Sequence, residues 1–408
     1  MTPTITLKPG KEKPLLAHHP WIFSGAIARA DDAHDGDTVD VRDAAGRFIA
    51  RGYYNSRSQI AVRLWTWNDE PIDSAFFRKR IVNAIDLRQS LIETDATNAY
   101  RIVNAESDFL PGLIMDRYSD FVVLQFLTLG VEQRKNEIVE LVQEILEPEG
   151  IYERSDVDVR EKEGLQSVVG SLRGAEPTEL IEIQENDSRL LVDVRRGHKT
   201  GFYLDQRENR KRVAKDLTGF IGSVGAAKPV RSPEILNVFS YSGGFSVYAC
   251  AANETARVIN LDASGDALTL ARENMRLNGC DERGEFVDGD AFLVLRKYRD
   301  MGKSFDAIIL DPPKFVHAQS QLHSGLRGYK DINLLAFKLC KPGGILATFS
   351  CSGQVSAELF QKVVFEAATD AKRDAQIIAK LSQSPDHPIL LSFPESEYLK
   401  GIICHVVA

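Results

Sequence analysis

Glu234-Ile-Leu-Asn-Val-Phe-Ser-Tyr-Ser-Gly-Gly-Phe245 is the stretch on which the fold turns. A short strand-like run enters a Gly-Gly turn, and a helical pattern begins at about Phe245. Two glycines at the carboxyl end of a parallel strand let a ligand approach the backbone closely, because no Cβ stands in the way. The turn is not the GxGxxG pattern of a pyrophosphate site, which argues against a dinucleotide. Taken alone, Gly243-Gly244 is equally a common tight turn.

The same rhythm continues downstream. Arg257-Val-Ile-Asn-Leu-Asp262 reads as a second strand, followed by a helix from Ser264 to Asn278. A third strand should end at Gly289-Asp290-Ala291. Phe305-Asp-Ala-Ile-Ile-Leu-Asp311 reads as a fourth, a helix follows Asp331, and Gly344-Ile-Leu-Ala-Thr-Phe349 reads as a fifth. Strands alternating with helices predict a parallel, doubly wound sheet. Ile389-Leu-Leu-Ser-Phe393 and Gly401-Ile-Ile-Cys-His-Val-Val407 have no helix between them. The last strand is therefore expected to run antiparallel to its neighbour.

The strand ends carry the chemistry. Asp262 lies about twenty residues beyond the glycine turn, where a carboxylate accepts hydrogen bonds from ribose hydroxyls. Asp290 is placed to receive the exocyclic amine of adenine. Either aspartate singly could be a helix cap. The glycine turn and both carboxylates in order, at successive strand ends, favour a nucleoside-containing cofactor. Next comes Asp311-Pro312-Pro313-Lys314-Phe315. Two prolines stiffen the backbone and remove two amide donors. That loop suits the amide-like edge of a nucleobase, with Phe315 available for stacking. A rigid turn with a core aromatic is the alternative. The fifth strand ends in Ser350-Cys351-Ser352, on the rim where such sheets bind ligands. Free cysteines are more often inert core residues. Cys250, Cys280, Cys340 and Cys404 sit inside helical or strand patterns, whereas Cys351 ends a strand. A thiolate there suits one reaction in particular. Its addition to carbon 6 of a pyrimidine turns carbon 5, a poor nucleophile, into an enamine carbon able to attack a sulfonium methyl group.

Working outward, 408 residues suit two or three domains. Residues 1–72 contain three strand-like runs, Thr38-Val-Asp-Val-Arg, Phe48-Ile-Ala-Arg-Gly-Tyr-Tyr and Ile60-Ala-Val-Arg-Leu-Trp, and read as a β-rich module. Residues 73–190 mix helical and strand patterns, and residues 191–408 form the doubly wound part. Hydrophobic content of 43% and charged content of 26% are ordinary for a soluble globular chain. No apolar run approaches a membrane span, and Met1 to Lys13 lacks the apolar core of a signal peptide. A cytoplasmic protein with no membrane partner is the expectation. Five scattered cysteines without a CxxC pair argue against a disulfide framework and against a metal site. The net charge of −8 argues mildly against nucleic acid. Yet Arg195, Arg196, Lys199, Arg207, Arg210, Lys211, Arg212 and Lys215 face only Asp205 and Glu208 in their stretch. They form either a phosphate-binding strip, with Arg207 a candidate contact, or a solvated amphipathic helix.

With these motifs in hand, the chain resembles the bacterial 23S ribosomal RNA cytosine-5 methyltransferases that carry an N-terminal PUA domain. The resemblance covers nearly the whole length. Its marks are His19-Pro-Trp-Ile-Phe-Ser-Gly-Ala-Ile27, Gly201-Phe-Tyr-Leu-Asp-Gln-Arg207, the glycine turn, Asp311-Pro-Pro-Lys-Phe315 and Ser350-Cys351-Ser352. It implies an α/β protein: an RNA-binding PUA module, a central α/β domain and a C-terminal Rossmann-like methyltransferase domain. It also implies S-adenosylmethionine as cofactor and large-subunit ribosomal RNA as partner. Gln206, Tyr241 and Gly243, beside Gly244, would line the methionine end of the cofactor. Asp262 would take the ribose, Asp290 the adenine, and Asp311 the target base or nearby backbone. Pro312, Pro313 and Phe315 would border the base, and Cys351 would be the nucleophile. Many RNA cytosine-5 methyltransferases place a second cysteine after Pro312; here Pro313 stands there, so product release must use another base or water. Relatives with this architecture suggest a homodimer. Two other functions remain open: a guanine-nitrogen methyltransferase, which needs no thiol, and a non-catalytic RNA-binding ribosome-assembly factor, which would not need the intact cofactor motifs.

Overall fold

The computed structural model describes residues 2–222 and 232–407. By its contacts the chain forms two compact units. The first comprises Met1–Asn186, Val192–Leu204 and Pro385–Ser396; the second comprises Asp187–Leu191, Asp205–Ser384 and Glu397–Ala408.

The first unit opens with a six-stranded sheet: β1 (Thr4–Leu7), β2 (Trp21–Phe23), β3 (Ile27–Asp31), β4 (Thr38–Arg42), β5 (Phe48–Tyr54) and β6 (Ile60–Thr66). The order is β2-β6-β5-β4-β1-β3, with β1 parallel to β4. Sequence reading finds β4 to β6. It misses the first three strands, which are short. Ile5, Leu7, Ile22, Val39, Val41, Val62 and Leu64 fill this sheet's core.

A five-stranded sheet follows: β7 (Ala99–Asn104), β8 (Leu113–Tyr118), β9 (Phe121–Phe126), β10 (Gly150–Ser155) and β11 (Val168–Gly174), in the order β11-β10-β9-β8-β7. The helices Ser74–Leu91 and Lys135–Leu146 bury Phe77, Ile81, Ile138 and Val142 in one core with Met115 and Leu124. Asp73 caps the first helix by accepting the Phe76 amide at 3.1 Å.

Buried ion pairs tie distant segments into this unit. Arg63 bridges Glu106 at 2.8 Å and Glu163 at 3.3 Å, linking β6 to the region beyond residue 100. Arg88 binds Asp108 through two bonds and also donates to the Asp386 carbonyl at 2.9 Å. The Asp386 carboxylate in turn accepts the Arg101 amide at 2.9 Å. These bonds explain why Pro385–Ser396 belongs to the first unit although it lies late in the chain.

Strands β12 (Ile181–Glu185) and β13 (Ser188–Val192) precede the second unit's sheet, which holds β14 (Glu234–Val238), β15 (Arg257–Asp262), β16 (Gly284–Asp288), β17 (Phe305–Leu310), β18 (Cys340–Ser350), β19 (Ala375–Ser382) and β20 (Lys400–Val406). Its order is β16-β15-β14-β17-β18-β20-β19. β14 to β18 are mutually parallel, and β20 is antiparallel to both neighbours. Ile308, Ile309 and Leu310 are fully buried, as expected of a parallel strand covered on both faces. One expectation is corrected: Ile389–Phe393 is not a strand, and β19 is the neighbour of β20. Residues 385–396 are instead held by Arg88 and Arg101. β19 is a half-exposed edge strand containing Gln376 and Lys380, so its apolar pattern is weak. The strand order reverses between β14 and β17, and the loops after those strands face the crevice in which such sheets bind ligands.

Candidate active site

Every element of the site lies in the second unit. After β14 the backbone turns through Phe239, Tyr241 and Gly243, all at positive φ (59°, 46° and 76°). Two non-glycine residues in the left-handed region within three positions are costly, and such strain concentrates at ligand sites. Gly243 is required sterically as well: a Cβ there would come within 3.0 Å of the Ala271 Cβ. The helix Gly244–Ala252 starts at once, so its first amides face the same crevice.

Asp262, ending β15, holds this turn in place. One carboxylate oxygen accepts the Tyr241 amide at 2.8 Å and the other accepts the Ser264 amide at 3.0 Å. Each oxygen has a second lone pair for a hydroxyl donor. Asp290 caps the helix Ala291–Asp300 through Leu293 N–H at 2.9 Å and is solvent-exposed, which is the helix-cap reading of that residue. The Ser240 and Ser242 hydroxyls are buried and have no hydrogen-bond partner among the described residues. Orphaned buried hydroxyls in a strained glycine turn fit a polar ligand.

Asp311, the residue after β17, accepts a hydrogen bond from Gln206 Nε2 at 2.9 Å. Gln206 is buried and is itself held by Asn209, whose amide donates to Gln206 Oε1 at 2.6 Å and to the Ser382 carbonyl at 2.9 Å. Two residues with separate roles in the sequence reading thus form one unit. Pro312 is buried, and Pro313 is exposed. The half-buried Phe315 ring lies 4.8 Å from Tyr329 and 6.0 Å from Phe292, packing that accounts for this residue without any ligand.

Cys351 follows β18. It is half-buried, whereas the other four cysteines are buried. Burial pushes the Cys340 and Cys404 thiols up to about 12. Tyr329 ties together the side chains on either side of Cys351: its hydroxyl is 3.0 Å from the Ser350 and Ser352 hydroxyls. Burial raises the Tyr329 phenol, so it stays protonated and can donate. Lys400, the first residue of β20, reaches under the same loop and donates to the Ser352 carbonyl at 2.8 Å and the Val355 carbonyl at 2.7 Å. Neither Tyr329 nor Lys400 was found by sequence reading. Lys400 becomes visible only once the β18–β20 register pairs it with Ser350.

The basic stretch is not one strip. Arg207 and Arg210 are buried, and Arg207 pairs with Glu208. Arg195, Arg196 and Arg212 pair with Glu176, Glu179 and Asp216 respectively. Among the described residues no cluster of His, Cys, Asp and Glu could hold a metal, and no helix is long and apolar enough to cross a membrane.

Residues 5–67 match a PUA-like domain, and residues 159–392 match the S-adenosylmethionine-dependent methyltransferase family. Proteins named ribosomal RNA large subunit methyltransferase I are 46% identical in Klebsiella pneumoniae (99% of this chain, 98% of the relative) and 47% identical in Aeromonas salmonicida (99% of each). Among solved structures, one from Streptococcus mutans, named as a SAM-dependent methyltransferase, superposes with a TM-score of 0.82 at 22% identity, covering 99% of this chain and all of that one. Another, a methyltransferase complexed with SAH, gives 0.83 at 22% identity with the same coverage. The fold is thus that of a PUA-like β domain followed by a methyltransferase sheet, and the chain belongs to the S-adenosylmethionine-dependent methyltransferase family, in the group whose members are named ribosomal RNA large subunit methyltransferase I.

Proposed function

We propose that the protein methylates carbon 5 of a cytosine in large-subunit ribosomal RNA through a covalent cysteine adduct. Ribosomal RNA as substrate follows the names of relatives that match over the full length. The observation that carries the cytosine-5 reading is Cys351: a half-buried thiol at the end of β18, in the same sheet as the Asp311 loop.

The residues divide the work. Tyr241, Gly243 and Gly244 would cradle the methionine end of S-adenosylmethionine, with Gln206 beside them. Asp262 would accept the ribose hydroxyls and Asp290 the adenine amine. When bound, this cofactor supplies an electrophilic methyl group. Asp311, oriented by Gln206, would hold the polar edge of the target base against Pro312 and Pro313, where the missing amide donors leave carbonyl acceptors. Cys351 as thiolate would add to carbon 6 and make carbon 5 nucleophilic; after loss of the carbon-5 proton the carbon–sulfur bond breaks and the thiolate returns. Methylation of an exocyclic nitrogen requires none of these thiol steps.

Mass spectrometric mapping of 5-methylcytosine in ribosomal RNA, from cells with and without the gene, tests this function. The expected result is one large-subunit cytosine that loses its methyl group in the deletion. Loss of a methylguanine instead would transfer the assignment to nitrogen chemistry.

A further inference from the structure

Lys400 is a buried cation beside the loop that carries the proposed nucleophile. Its cross-strand partner is Ser350, the residue before Cys351. Its ammonium donates to the carbonyls of Ser352 and Val355, so it lies beneath the loop that begins at Cys351. With 6% of its surface exposed, it has little water to screen its charge. An ammonium has three donors, and two are used in these bonds. Burial lowers the Lys400 pKa, while the charges of Glu397 and Cys351 raise it and Lys314 lowers it. The Tyr329 phenol, on the helix Leu322–Leu339, feels Cys351 as well.

Resting on the reading of Cys351 as the nucleophile, we propose that Lys400 is a positioning residue whose buried positive charge, fixed by two loop carbonyls, holds the Cys351 thiol in its ionised form. Only the thiolate attacks, and thiols beside a cationic side chain ionise below their free value. Water takes the thiol proton, and the ammonium keeps all three of its own. The same two carbonyl bonds set the direction in which the loop presents the sulfur.

The test is the pH profile of iodoacetamide alkylation at Cys351, read by peptide mass spectrometry on the full-length protein. Wild type should show a midpoint below the ordinary thiol value. Lys400→Met should move the midpoint up by about one pH unit and slow alkylation at neutral pH about tenfold. Lys400→Gln, which keeps two N–H donors without the charge, should shift it likewise, and it serves if Lys400→Met does not fold. Lys400→Arg should keep a profile close to wild type. A role confined to bracing the loop would leave the midpoint of folded Lys400→Gln where it was, and that result overturns the inference. The nucleophile reading is checked separately by trapping with 5-fluorocytosine RNA. Trapping with an unshifted Lys400→Gln profile defeats only the Lys400 assignment, whereas absence of trapping in wild type defeats the premise.

Discussion

Asp262→Ala should damage cofactor binding through the turn as well as through the ribose. The wild-type carboxylate accepts two backbone amides, from Tyr241 at 2.8 Å and Ser264 at 3.0 Å. The first restrains a residue at φ 46°, a conformation that costs of order 1–3 kcal/mol unless its surroundings enforce it. Hydrogen bonds to a charged group contribute about 1.5–3 kcal/mol each. Asp262 is half-buried, and water replaces part of what is lost, so a penalty of about one such bond is the reasonable expectation. That corresponds to S-adenosylmethionine affinity weakened by about tenfold to about a hundredfold. Titration calorimetry on the folded variant measures it. Asp262→Asn retains one acceptor oxygen and should fall between the two. Unchanged affinity in folded Asp262→Ala would refute both the ribose assignment and the role of this carboxylate in holding the turn.

Gly243→Ala forces a side chain into the left-handed region and within 3.0 Å of the Ala271 Cβ; a loss of at least about 1–2 kcal/mol should appear as a lowered melting temperature with weaker cofactor binding. Arg88→Met leaves the Asp108 carboxylate buried without its cation and should cost about 3–5 kcal/mol, measured by chemical denaturation of the first unit. With burial pushing their thiols up to about 12, Cys340 and Cys404 should stay protonated at pH 8 and resist alkylation, while Cys351 reacts. Equal labelling of all three in native protein would contradict their burial.

The second unit's parallel order was legible because β14, β15, β17 and β18 are apolar runs broken by helical segments and glycine turns. The positions of the acidic residues were legible too: Asp262 ends β15, Asp311 follows β17 and Asp290 lies two residues beyond β16. Other features depend on contacts that no local pattern encodes. β1 and β2 are too short for a period to show, and β3, as long as β4, has three consecutive exposed residues and no alternation. The half-polar edge strand β19 was passed over in favour of Ile389–Phe393, an apolar segment that Arg88 and Arg101 hold in the first unit instead. The basic stretch looked continuous only as a string of letters; folding buries Arg207 and Arg210, and pairs Arg195 and Arg196 with Glu176 and Glu179 upstream and Arg212 with Asp216 one turn on. Phe315 has the aromatic type expected of a base-stacking residue, but packing against Tyr329 and Phe292 was not foreseeable from its neighbours. Lys400 and Tyr329 reach the Cys351 loop from another strand and another helix, so only the tertiary register reveals them.

The central claim is that Cys351 bonds to carbon 6 of the target base. The most direct measurement incubates the protein, S-adenosylmethionine and large-subunit RNA containing 5-fluorocytosine, then looks for a denaturation-resistant protein–RNA adduct and maps the attached peptide. Fluorine cannot leave as the carbon-5 proton does, so wild type should be trapped with the nucleotide on Cys351. Cys351→Ala, folded and still binding S-adenosylmethionine, should give no adduct and no 5-methylcytosine. Methylation of carbon 5 by that variant at a rate near wild type would contradict the covalent mechanism outright.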